Sequence, residues 1–105
     1  MALGKLTTKQ NNTLSMTITV TDSAGTAINL TGATVVVKVY NGNTLVETET
    51  ITSHTTPLSG ITTCTFTAAE TALWPVILLG YEIQATLASG SIYSDDGTIE
   101  VIKDR

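Results

Sequence analysis

The chain has 105 residues, 42% of them hydrophobic and 13% charged, a balance that excludes the polar, highly charged composition of disordered chains and fits one domain over residues 1–105. Its formal net charge is −4, and its five basic residues are scattered along the chain, which argues against a phosphate-binding surface and so against a nucleic-acid partner. A single cysteine, Cys64, excludes an intrachain disulfide.

The first residues, MALGKLTTKQ, carry no apolar run of the length that a secretory signal needs. No stretch approaches the roughly 20 apolar residues that span a bilayer, so no membrane partner is expected. A chain made in the cytoplasm and carried outside a cell only within a larger particle is the expectation.

After a short start at residues 3–8, which pairs either within its own sheet or with a neighbouring copy, residues 13–21 alternate almost perfectly. Leu14, Met16, Ile18 and Val20 take one side, and Ser15, Thr17 and Thr19 the other, the pattern of a strand with one buried and one wet face. Asp22 to Thr26 is a turn by composition. Residues 28–40, INLTGATVVVKVY, form the most β-committed stretch, with Val35, Val37 and Val39 on one parity, and predict a central strand. Asn41-Gly42 then signals a tight hairpin.

Residues 45–52 make a poorer strand carrying Glu47 and Glu49, suited to a sheet edge where charge discourages pairing with another chain. A loop over residues 53–60, holding Pro57, leads to residues 61–67, where Thr62, Cys64 and Phe66 alternate with threonines. Thr67-Ala68-Ala69-Glu70 has the form of a capping box and predicts one or two helical turns over residues 68–73, ended by Pro75. Strict alternation resumes over residues 81–87, with Tyr81, Ile83, Ala85 and Leu87 inward. Residues 88–91 are a turn, and the final strand over residues 92–102 is expected to kink or bulge at Asp95-Asp96-Gly97. Short strands at this spacing predict an all-β, immunoglobulin-like antiparallel β-sandwich of about seven strands, with one short helical turn near residues 68–73.

The order TITVTDSAGTAINLTGATVVVKVY, a hairpin, TCTFTAAETA, then GYEIQATLASGSIYSDDGTIEV resembles the immunoglobulin-like N-terminal domain of the phage baseplate upper protein family. The resemblance runs from Thr13 to Val101. It is carried by Leu30-Thr31-Gly32-Ala33-Thr34, by the threonine-alanine-acidic segment at residues 67–71, and by Gly80-Tyr81. It implies a bacteriophage virion component, in tail, baseplate, fibre attachment or head decoration. Such a component docks to other virion proteins and to copies of itself in a symmetric oligomer, with no enzymatic activity and no cofactor.

One departure from that family stands out. Where the family has a short glycine-containing turn, this chain inserts Leu73, Trp74, Pro75, Val76, Ile77, Leu78 and Leu79. Connections between strands run over the surface, and an apolar patch there marks an interaction site. The segment is therefore the candidate subunit contact. The competing expectation is that residues 76–79 extend the next strand into the core while Trp74 closes the end of the sandwich.

Other side chains point to structure rather than chemistry. Tyr81 fits a tyrosine corner. His54 is the only histidine and has no neighbours in sequence to complete a zinc set, and Cys64 has the inward parity of an inert core residue. Asp95 and Asp96 with Asp22 offer carboxylates for calcium, though adjacent acids in a turn are usually just solvated. No serine has the strand-turn-helix setting of a nucleophile, so catalytic and metal sites are expected to be absent. An adhesive, carbohydrate-binding surface module is the alternative function, weakened by the scarcity of aromatic residues on which sugar rings stack.

Overall fold

Alternating apolar and polar residues build almost all of the regular structure. The computed structural model describes residues 5–103. It contains β1 (Lys5–Lys9), β2 (Leu14–Thr19), β3 (Thr34–Asn41), β4 (Thr44–Ile51), β5 (Ile61–Phe66), β6 (Leu78–Thr86) and β7 (Ile92–Ile102). Five strands form one sheet in the order β1-β7-β6-β3-β4, and β2 pairs with β5 in the second. The result is an all-β sandwich with the immunoglobulin-like strand order, in which β7, β6, β3 and β4 face the β2-β5 pair.

The core lies between the layers. From the smaller sheet it takes Met16, Ile18, Cys64 and Phe66, and from the larger one Val35, Val37, Val39, Ile83, Ala85, Ile99 and Val101, all buried. Each inward residue alternates with an outward polar one on β2, as a strand with one wet face requires. The approach to β3 contributes Leu30, which is also fully buried. β3 is flanked on both sides, by β4 and β6, while the middle of the five-stranded sheet is β6.

The first strand departs from the antiparallel expectation. β1 runs parallel to β7, with Leu6 opposite Ile99 and Thr8 opposite Val101. The start of the chain therefore pairs within its own sheet from Lys5 onward; residues 3–4 lie outside the described residues. A parallel pair needs no hairpin, because the chain leaves β1 for the other layer through a turn at Asn11, which adopts a left-handed φ of 65°.

The hairpin between β3 and β4 sits one residue later than Asn41-Gly42 suggests. Asn41 pairs with Thr44, which makes Gly42 and Asn43 the two loop residues. Gly42 has φ 61°, and a glycine at the first loop position is what a type II′ turn requires. Further along β4, Val39 pairs with Glu47 and Tyr40 with Leu45, so Val46 is an extra, bulged residue.

β7 is likewise unlike its expectation. It runs unbroken through Asp95-Asp96-Gly97, and the register against β6 is kept without a shift from Ile92 to Glu100. The glycine is needed for a different reason: it lies opposite Tyr81, and a Cβ placed on Gly97 would sit 2.7 Å from the Tyr81 ring. The aromatic ring covers the bare backbone across the strand pair, which preserves a strand that glycine alone would weaken.

The connection from β4 to β5 contains a 3₁₀ turn, Pro57–Ser59, ended by Gly60 in the left-handed conformation. A Cβ there would lie 2.6 Å from the Val20 carbonyl oxygen. Gly60 is therefore fixed both by its φ and by the strand end packed against it. After β5 comes α1 (Ala68–Thr71), capped by Thr67 and Glu70 in a complete capping box. The helix is a single turn, shorter than residues 68–73, and the Thr71 hydroxyl donates to the Asn12 carbonyl at 2.7 Å, which ties it to the turn after β1.

Candidate functional site

The apolar run over residues 73–79 divides between core and surface. From α1 the chain passes through i+3 turns, Leu73 N–H to the Glu70 carbonyl and Trp74 N–H to the Thr71 carbonyl. These turns send Trp74 into the interior and Leu73 outward. Trp74 is 1% exposed. Its ring packs edge-on against Phe66, with centroids 5.1 Å apart and planes at 68°, a geometry that adds to the area it buries. Gln10 donates from Nε2 to the Trp74 carbonyl at 2.7 Å, clamping this end of the sandwich. The indole Nε1 is buried without a hydrogen-bond partner among the described residues.

Pro75 is half-buried. Ile77 N–H donates to its carbonyl, and the Ile77 carbonyl accepts from Val101 N–H, so the backbone docks on β7 before β6 begins at Leu78. Strand parity then puts Leu79 inward and Leu78 outward. Leu79 is 1% exposed, against 81% for Leu73, 47% for Val76, 41% for Ile77 and 57% for Leu78. Trp74 thus closes the end of the sandwich and Leu79 extends β6 into the core, which removes both as contact residues. Leu73, Val76, Ile77 and Leu78 remain as surface. Among the described residues the other large exposed apolar side chains are Leu45, Leu58 and Ile92, each on a different element, and single exposures of that kind are ordinary.

The remaining candidates are held by the fold. His54 accepts or donates at Nδ1 with the Thr62 hydroxyl, 2.9 Å away, and its Nε2 lies 2.8 Å from the Ala33 carbonyl oxygen. A carbonyl only accepts, so Nε2 carries a proton there and the ring bridges the start of β3 to β5. Cys64 is buried and free, and burial, with the nearby charges of Glu49 and Glu70, pushes its thiol up to about 12. A thiol held in that state is not a nucleophile. The Asp22 carboxylate accepts from Ala24 N–H and Thr26 N–H within its own turn, and Asp95 accepts from Asp96 N–H. The structure does not bring Asp22 together with Asp95 and Asp96. Tyr81 is buried over Gly97, and burial with the charge of Asp95 raises its pKa.

A carboxylate cluster forms where the sequence suggested only edge charges. Glu47 and Glu49 pair with Val39 and Val37, and cross-strand partners share a face, so both glutamates turn toward the inner side of the sheet. There they meet Glu70 of α1, with one carboxylate oxygen from each within 4.8 Å of the others. Thr67 N–H donates to Glu70 at 2.8 Å and is the main cause that holds its carboxyl down at about 2. Burial, followed by the hydrogen bond with Glu70 and its charge, pushes Glu49 up to about 7, and Glu47 is raised for the same reasons. The arrangement shares protons among three acids, and its oxygens are spaced to accept one hard divalent cation. Two glutamates pointing inward also blunt the β4 edge against pairing.

A search against protein-family models and curated proteins finds no match to this chain. The fold and the surface define what the molecule is at the level of class: a β-sandwich with an apolar connection exposed at one end.

Proposed function

We propose that the chain is a non-enzymatic bacteriophage virion structural protein that works through contacts between subunits, with copies of itself and with other virion proteins. The resemblance to the baseplate upper protein family supplies the setting, and placement in the virion follows from it. The observation that carries the reading on this chain is the exposure of Leu73, Val76, Ile77 and Leu78 along one connection. Side chains of this size are each worth about 1.5–3 kcal/mol when fully buried, enough in combination to anchor an interface after the cost of association.

Neither the one histidine nor the one cysteine is placed to react, which supports a passive role. His54 bridges strands, and Cys64 is shut in the core.

Light scattering on the eluting protein and capture by purified virion proteins test the reading together. Higher oligomers or capture are expected, both weakened in Leu73→Ser with Leu78→Ser. A protein that stays monomeric, captures no virion protein and binds a glycan array would overturn it in favour of the adhesive module.

A further inference from the structure

A second surface feature lies beside that connection. β6 carries glycine at position 80, between Tyr40 of β3 and Thr98 of β7. A Cβ placed there meets nothing within 4 Å, so the missing side chain leaves an open gap on the outer face of the five-stranded sheet. The gap is a cleft of about 190 Å³, with Tyr40, Gly42, Glu82, Asp96 and Gly97 among its walls. Small-molecule sites typically occupy about 300–1,000 Å³; this one is sized for a single side chain.

Its chemistry is acidic and aromatic. Glu82 and Asp96 sit directly opposite each other on β6 and β7, a like-charge pairing that destabilises a sheet. Among the described residues neither carboxylate is engaged in an ion pair or side-chain hydrogen bond. Lys38 faces Glu82 from β3, which leaves the row with a net negative charge. Tyr40 supplies an aromatic wall. The floor is pinned, because the Tyr81 ring lies against Gly97 from the inner side.

We propose that this cleft receives a guanidinium group, the arginine side chain of a partner protein. A guanidinium is planar, so it stacks on Tyr40, and its fork of donors bonds carboxylates in pairs. An ammonium lacks both the face and the fork. Leu78, Gly80 and Glu82 follow one another on the outward parity of β6, so a partner seated on Leu78 extends naturally into the cleft. In taking the arginine from a protein, the inference rests on the subunit-contact reading above; the cleft itself does not.

Titration of the ¹⁵N-labelled full chain with N-acetyl-arginine amide, and with N-acetyl-citrulline amide as its neutral counterpart, tests it. The Gly42, Gly80, Glu82 and Gly97 amides are expected to shift and saturate with arginine in the millimolar range, and at least tenfold more weakly with citrulline. Glu82→Gln with Asp96→Asn should abolish the response while the rest of the spectrum stays put. Gly80→Val, which fills the cleft without touching a charge, should do the same. No shifts, equal response to citrulline, or a response that survives both variants would overturn the proposal. So would shifts at these amides with methyl glucoside and none with arginine. If arginine binds as expected but capture by virion proteins ignores the Glu82/Asp96 variant, the protein source of the arginine is overturned; loss of capture in that variant supports it. Capture that ignores the Leu73/Leu78 variant counts against the contact reading alone.

Discussion

Residues 73–79 contain two populations with the same chemistry and opposite fates. Trp74 and Leu79 are closed into the core, while Leu73, Val76, Ile77 and Leu78 stand in solvent. Hydrophobicity does not separate them. Backbone direction does: the turns that follow α1 aim Trp74 at Phe66, and the parity of β6 sends Leu79 in and Leu78 out. One apolar run in a sandwich therefore serves as both plug and surface, and only its register decides which residue does which.

The largest effect should come from removing the plug. Trp74→Ala is expected to cost about 3–5 kcal/mol in denaturant unfolding, the usual penalty for emptying a buried tryptophan site. Trp74→Phe should cost much less, because it keeps the ring contact and removes an indole N–H that has no partner among the described residues. A Trp74→Ala variant as stable as the parent would erase the distinction between the two populations.

Next in size is the device that aims the connection. Thr67→Ala breaks the capping box and is expected to cost about 1 kcal/mol, measured by thermal unfolding. It also removes one of the contacts that fix Glu70, which links it to the acid cluster.

That cluster sharpens the comparison through pH. Glu49 is raised from 4.5 to about 7, so the folded chain keeps a proton that the unfolded chain releases across that interval. The stability so contributed is complete below about pH 4.5 and is lost as pH rises through 7. Glu70 is lowered to about 2, so its contribution is present above about 4.5 and lost as pH falls through 2. Stability should peak near pH 4.5 and decline on both sides. Because these carboxyls are partly solvated, the alkaline arm should amount to no more than about 1 kcal/mol, a few degrees in Tm. Glu49→Gln should flatten it.

The smallest effect on folding belongs to the outward residues. Leu73→Ser with Leu78→Ser should change stability by no more than about 0.5 kcal/mol, while lowering the oligomer mass seen by light scattering. A large loss of stability would show that these side chains belong with Trp74 after all.

Much of this was legible in the sequence wherever one rule acted alone. The alternation at Leu14, Met16 and Ile18, the valines of β3, the inward parity of Cys64 and the capping box at Thr67 and Glu70 each follow from local pattern, and each stands where the pattern puts it. The rest depended on partners distant in the chain. Asp95-Asp96-Gly97 reads as a break until Tyr81 is seen lying on the glycine. Glu47 and Glu49 read as edge charges until the pairing with Val39 and Val37 turns them inward; alternation against that valine strand was the signal that would have found them. The hairpin slipped by one residue because Gly42 suits the first loop position as well as the second. The split of residues 73–79 needed the true start of β6, and Gly80 acquires its cleft only from Tyr40 and Asp96 on the neighbouring strands.

The lone thiol gives the molecule a built-in clock. Cys64 is the chain's one cysteine and is enclosed between the sheets, so an alkylating reagent can reach it only when the layers part. The rate of its modification under native conditions therefore reads how often the sandwich opens, without any label or mutation. Where reclosing is faster than reaction, that rate yields the opening free energy itself.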